Sequence, residues 1–68
     1  MNLKVNGERR EVERAATIAD LIADLGHDAR GTGVAIALNG EVVRRAEWGS
    51  TALHEQDRVE VLGAAQGG

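Results

Sequence analysis

Only one stretch of this sequence carries a helical hydrophobic repeat, and that restricts the possible folds more than any other feature. Ile18, Leu21, Ile22 and Leu25 recur at i, i+3, i+4 and i+7, a spacing that lines them up as one apolar stripe on a helix. Thr17 is a good N-cap, and Asp20, three residues on, gives a weaker form of the capping box. Gly26 stands where a left-handed residue would end the helix. The spacing predicts one helix over residues 17–25, with Asp20 and Asp24 off the stripe as a solvated acidic face. The stripe must cover an apolar surface supplied by the rest of the chain.

That surface reads as strands. Residues 2–6 are N-L-K-V-N, an alternation that puts Leu3 and Val5 on one face of a half-buried strand. Asn6-Gly7 is a hairpin signal, because a type I′ turn needs positive φ at both central positions. Residues 8–13 return as an edge strand with Val12 as the single large apolar residue, too weak a pattern to set the register. After a polar, glycine-containing loop over 27–33, residues 34–38 read V-A-I-A-L. Val34, Ile36 and Leu38 share one face and Ala35 and Ala37 the other, as suits a central strand with both faces apolar. Asn39-Gly40 repeats the turn signal before a short strand over 41–44. Residues 46–53 read as irregular, anchored by Trp48 and Leu53, with Trp48 as packing more than docking surface. Glu55, Gln56 and Asp57 form a turn, and 58–62 is a strand with Val59 and Val61 turned inward.

The fold class is α+β: a mixed four- to five-stranded sheet, its first and last strands a central parallel pair, with one main helix on one face. The expected core is Leu3, Val5, Ile18, Leu21, Ile22, Leu25, Val34, Ile36, Leu38, Val59 and Val61. The chain has no internal repeat and reads as one domain over 1–62 followed by a tail over 63–68. Ala35, Ala37 and Leu62 fall on the sheet face away from the helix, where they would leave a shallow apolar patch for a docking partner.

Composition removes several function classes. A domain of 68 residues has a thin core, and a deep catalytic cavity would consume it, so the chain reads as a non-enzyme. It has no cysteine, which excludes disulfide staples, a cysteine-based zinc site and sulfur carried on a side-chain thiol. No apolar run approaches the roughly 20 residues that span a bilayer. Met1-Asn2-Leu3-Lys4 is not followed by the apolar segment of a signal peptide, so a cytoplasmic location is expected. A net charge of −3 and a single aromatic residue, Trp48, argue against nucleic acid as a partner. Arg9-Arg10 and Arg44-Arg45 read as solvated positions on strands or turns, and His27 and His54 as surface histidines without a second metal ligand at suitable spacing. With no glycine-rich loop between a strand and a helix, any ATP would be held by a partner.

The tail, Gly63-Ala64-Ala65-Gln66-Gly67-Gly68, has no large apolar side chain to tie it to a core, so it is expected to be flexible. Extended, six residues reach about 20 Å. Two glycines without Cβ atoms make the thinnest possible peptide and can thread a narrow channel to present the Gly68 carboxylate. A carboxylate is a poor electrophile, so ATP-dependent adenylation is the usual activation. Displacement of AMP by a sulfur nucleophile would leave a thiocarboxylate. That group is more acidic than an alkyl thiol, so its sulfur would be anionic and nucleophilic near neutral pH.

These pieces together resemble the sulfur carriers of thiamine biosynthesis, a ubiquitin-like β-grasp family. The resemblance rests on M-N-L-K-V-N-G at the start, T-I-A-D-L-I from Thr17, V-A-I-A-L-N-G from Val34, V-V-R-R-A-E-W from Val42, D-R-V-E-V-L from Asp57 and the final Gly67-Gly68. It spans the chain in order and without large gaps. It implies that an adenylyltransferase of the ubiquitin-activating class adenylates Gly68 with ATP, that sulfur arrives from a cysteine desulfurase or another donor, and that thiazole synthase consumes the thiocarboxylate. The carrier itself would have no catalytic residues, no metal and no bound cofactor. Its docking residues Ala35, Ala37 and Leu62 would face the adenylyltransferase or thiazole synthase. The chain departs from the family pattern at Arg44, often proline, and at Gln56, often glycine, where altered local geometry is expected. The alternatives are the small subunit of molybdopterin synthase, whose members tend to be longer and richer in phenylalanine, another sulfur carrier or protein modifier on this fold, and a β-grasp interaction module without tail chemistry.

Overall fold

The structure, a computed structural model, describes residues 1–26 and 33–63. Its elements in chain order are β1 Asn2–Val5, β2 Glu8–Glu11, α1 Ile18–Asp24, β3 Val34–Leu38, β4 Glu41–Val43, a 3₁₀ helix Arg45–Ser50 and β5 Arg58–Gly63. One five-stranded sheet has the order β2-β1-β5-β3-β4. β1 and β5 run parallel at its centre, and the other pairings are antiparallel. The last strand of the sequence is therefore the middle strand of the sheet.

α1 begins and ends where its local chemistry directs. The Thr17 hydroxyl accepts from the Asp20 backbone N–H at 3.2 Å, and the Asp20 carboxylate accepts from the Thr17 N–H at 2.9 Å. Both halves of a capping box are made, so the box is complete where a weaker form is expected. Leu25 is the C-cap, and Gly26 follows at φ 87, the left-handed region open to glycine. Asp24 lies on the expected solvated face, where it also pairs with Arg10 of β2 at 2.8 Å.

Ile18, Leu21 and Ile22 of the helix stripe are fully buried against Leu3, Val5, Ile36, Val59 and Val61. Leu25, Val34 and Leu38, also expected in the core, are half-buried at its margin. Trp48 and Leu53 complete the centre. The segment expected to be irregular is a 3₁₀ helix, which swings the Trp48 ring inward. Its Nε1–H donates to the Val43 carbonyl at 3.0 Å, so the indole is buried without an orphaned donor. Leu53 is held by a short bridge between Thr17 and Ala52: its N–H donates to the Ala16 carbonyl at 2.9 Å, and Ile18 N–H donates to the Thr51 carbonyl at 3.1 Å.

Strand ends differ from the sequence expectation by one or two residues. β2 stops at Glu11, since Val12 turns to pack on the core. Its register, open in the sequence, pairs Leu3 with Arg10 and Val5 with Glu8. β4 stops at Val43, and β5 continues to Gly63, which pairs with Val34. Arg44 adopts φ −66, ψ 146, and Gln56 adopts φ 72. The first is the φ a proline ring fixes, and the second belongs to the region that suits glycine. A proline at the first position and a glycine at the second would thus adopt the same backbone without strain.

Candidate functional site

β-Strand alternation assigns every residue of the sheet to one of two faces. Val59 and Val61 of β5 point to the helix, so Arg58, Glu60 and Leu62 point away. The register then places Ala35 opposite Leu62, Ala37 opposite Glu60, and Val42 opposite Ala37, all on the outer face. The three docking candidates are thus neighbours. Ala35 and Leu62 are exposed, Leu62 at 68%, and Ala37 is half-buried. Val42, at 80% exposure, is a fourth member that sequence reasoning missed. A three-residue strand is too short to show its own alternation, so only pairing with Ala37 assigns Val42 a side.

Beside the patch, with Glu11 and Glu60 on the same face, runs a row of cations. Lys4 is the Cα partner of Arg9 on one side and of Arg58 on the other, giving a row of three basic residues across β2, β1 and β5. Like charges directly opposite each other cost stability in a sheet. The row lies beside an apolar patch in a chain whose net charge is −3.

Leu62, on this face, is the penultimate residue of β5. Gly67 and Gly68, the expected reacting terminus, lie outside the described residues, as does His27. Two side chains that sequence reasoning treated only as turn formers hold the strand leading to the tail. Asn6 and Asn39 adopt φ 51 and 50, as Asn-Gly turns require. Their amides also complete hydrogen bonds of β5. Asn6 Oδ1 accepts from Val61 N–H at 2.8 Å, and Asn6 Nδ2 donates to the Val61 carbonyl at 3.2 Å. Asn39 Oδ1 accepts from Arg58 N–H at 2.9 Å, and Asn39 N–H donates to the Arg58 carbonyl at 2.7 Å. Asp57 supports the entry to β5, accepting from Asn39 Nδ2 at 3.0 Å and from His54 N–H at 2.7 Å. His54 is exposed, its Nδ1 lying 3.8 Å from Asp57.

On the helix side, a hollow of about 670 Å³ opens between the end of β2 and α1, lined by Glu11, Glu13, Arg14, Asp20 and Asp24 among others. Asp20 is engaged in the capping box and Asp24 with Arg10. Among the described residues no group of three His, Cys, Asp or Glu side chains is arranged to hold a metal ion, and no helix is long and apolar enough to cross a membrane.

Comparison with known proteins agrees with this geometry. The crystal structure of a thiamine biosynthesis protein (ThiS) from Geobacter metallireducens superposes with a TM-score of 0.80 at 34% identity, covering 91% of each chain. A solution structure of a thiamine biosynthesis protein from the same organism gives 0.77 at 33% identity, over 91% of this chain and 81% of the other. A thiazole synthase of Paramagnetospirillum magneticum is 32% identical over 68 residues, and the chain spans 20% of that protein's length. The ThiS family pattern matches residues 3–68. With its ubiquitin-like β-grasp fold and a match that runs through the final Gly-Gly, the chain belongs to the ThiS family, the small sulfur carriers of thiamine biosynthesis.

Proposed function

We propose that the chain carries sulfur as a thiocarboxylate on Gly68 and delivers it to thiazole synthase in the cytoplasm, with partner enzymes supplying all of the catalysis. The observation that supports this reading is the family match over residues 3–68, which includes Gly67 and Gly68. The Gly68 carboxylate attacks the α-phosphorus of ATP on an adenylyltransferase, and pyrophosphate leaves. The terminal sulfur of a persulfide, formed by a cysteine desulfurase or another donor, then attacks the acyl carbon and expels AMP. A second thiol breaks the resulting S–S bond and is itself oxidised to a disulfide, which frees the thiocarboxylate. No metal or bound cofactor of the carrier enters these steps.

The outer-face patch of Ala35, Ala37, Val42 and Leu62 would seat the adenylyltransferase. It is continuous with the tail through Leu62, and the basic row of Arg9, Lys4 and Arg58 beside it would meet an acidic rim on the partner. The similarity to part of a thiazole synthase chain supports thiazole synthase as the acceptor.

The test is incubation with ATP, the adenylyltransferase and a sulfur donor, followed by mass spectrometry. Exchange of one terminal oxygen for sulfur is the expected product. Adding one residue after Gly68 converts its carboxylate to an amide and should abolish the product with the fold intact. Deleting Gly68 moves the carboxylate about 3.5 Å back along the chain, a misplacement expected to cost about 100-fold or more. Sulfur gained by the extended protein would refute the assignment, and an isopeptide bond to a lysine would make the chain a modifier.

A further inference from the structure

We propose that the Asn6 side chain is a positioning residue for the tail: by taking over the β1 side of the ladder at Val61, it steadies the end of the strand from which the tail is delivered. This inference rests on the reading of the tail as the reacting segment. β1 ends at Val5, because Asn6 turns the backbone away at φ 51. Lys4 N–H donates to the Asp57 carbonyl and Asn6 N–H to the Val59 carbonyl, each at 2.9 Å. In a parallel ladder the next β5 residue to bond toward β1 lies two positions beyond Val59, at Val61. The backbone has gone by then, and the Asn6 amide takes its place, accepting from Val61 N–H at 2.8 Å and donating to the Val61 carbonyl at 3.2 Å. Leu62 and Gly63 beyond it are paired with Ala35 and Val34 of β3, on the opposite side of β5.

β5 is therefore gripped from both sides as far as Val61, and the segment carrying Gly68 begins two to three residues later. Releasing that grip would leave the last residues of β5 held by β3 alone and spread the directions in which the strand delivers the segment beyond it. The effective concentration of its end at a partner's site would fall accordingly.

The molecule contains its own control. Asn39 grips the same strand at Arg58, the end away from the tail, with the same residue type in the same kind of Asn-Gly turn. Glycine adopts positive φ freely, so both variants should keep the turn: Asn6→Gly deletes both side-chain bonds to Val61, and Asn39→Gly deletes the side-chain bonds to Arg58 and Asp57 while its backbone bond to Arg58 remains.

The experiment compares the two variants with wild type at a temperature where circular dichroism shows all three folded. Amide hydrogen exchange and nitrogen-15 relaxation are read at Val61, Leu62 and Gly63, and kcat and KM are measured for adenylation by the adenylyltransferase. In Asn6→Gly the Val61 amide is expected to exchange about tenfold faster, with added motion at Leu62 and Gly63. Its kcat/KM should fall at least about threefold below that of Asn39→Gly, mostly in kcat, because the docking face is retained. Equal slowing in both variants would show that Asn6 acts only through general stability and overturn the proposal. So would unchanged adenylation by Asn6→Gly, whatever its exchange rate. If wild type is never adenylated, the carrier reading fails. Exchange and relaxation at residues 61–63 then still decide whether Asn6 steadies the end of β5, and unchanged values there would overturn that as well.

Discussion

On the helix side of β5 stand Val59 and Val61, buried; on the other side of the same strand stand Arg58, Glu60 and Leu62, all exposed. β3 repeats the contrast, with Ile36 buried on the helix side and Ala35 exposed on the other. The inner face is filled by large branched side chains that meet α1, Trp48 and Leu53. The outer face bears small or isolated apolar groups beside a row of cations, with no element of the described chain packed over it. A sheet in a domain of this size has one helix to bury one face. Its inner residues are fixed by packing, and its outer residues are left exposed.

The largest effect should come from breaking the inner face. Leu21→Ala is expected to destabilise the domain by about 2–5 kcal/mol, the usual cost of truncating a fully buried leucine. In a domain whose total stability is of the order of 5 kcal/mol, that would unfold much of the population. A thermal melt checks it, and an unchanged midpoint would mean that the helix stripe is not the core.

The outer face should respond in the opposite way. Replacing Val42 and Leu62 by serine is expected to move the melting free energy by no more than about 0.5 kcal/mol per site. The same double variant should weaken binding to the adenylyltransferase about tenfold, as expected for losing an apolar side chain that is buried on docking. Ala37→Glu should weaken it too, adding a charge in the middle of the patch beside Glu60. Calorimetric titration against the adenylyltransferase, and separately against thiazole synthase, would show which partner uses the face. Unchanged affinity for both would leave the patch without a docking role.

A smaller loss is expected from Thr17→Ala, which removes one half of the capping box at the start of α1. About 1 kcal/mol is usual for such a cap, and urea titration would resolve it. The smallest effect should be a gain. Gln56 holds φ 72 in the turn before β5, a conformation that costs non-glycine residues about 1 kcal/mol or more. Gln56→Gly should therefore raise stability by about 0.5 kcal/mol after glycine's greater entropy loss is subtracted. A fall in the midpoint would mean that the Gln56 side chain makes a contact worth more than the strain.

What the sequence determined by itself is what short-range physics controls. The i, i+3, i+4, i+7 stripe, the capping box of Thr17 and Asp20, the left-handed Gly26 and the two Asn-Gly turns involve partners at most a few residues apart, and each is found where it was read. Strand alternation was legible for the same reason, and it was enough to place Ala35, Ala37 and Leu62 together on the face away from the helix. The tertiary structure decided whatever depends on residues distant in sequence. It set the register of β2, which the single large apolar residue near it, Val12, could not choose. It drew Trp48 and Leu53 into the core through a 3₁₀ helix and a short bridge to the start of α1. It placed Val42 on the outer face by pairing it with Ala37. It also gave Asn6 and Asn39 their second task, because an asparagine in a turn can be recognised locally, but a bond to a strand 55 residues away, as from Asn6 to Val61, exists only once the chain has folded back on itself.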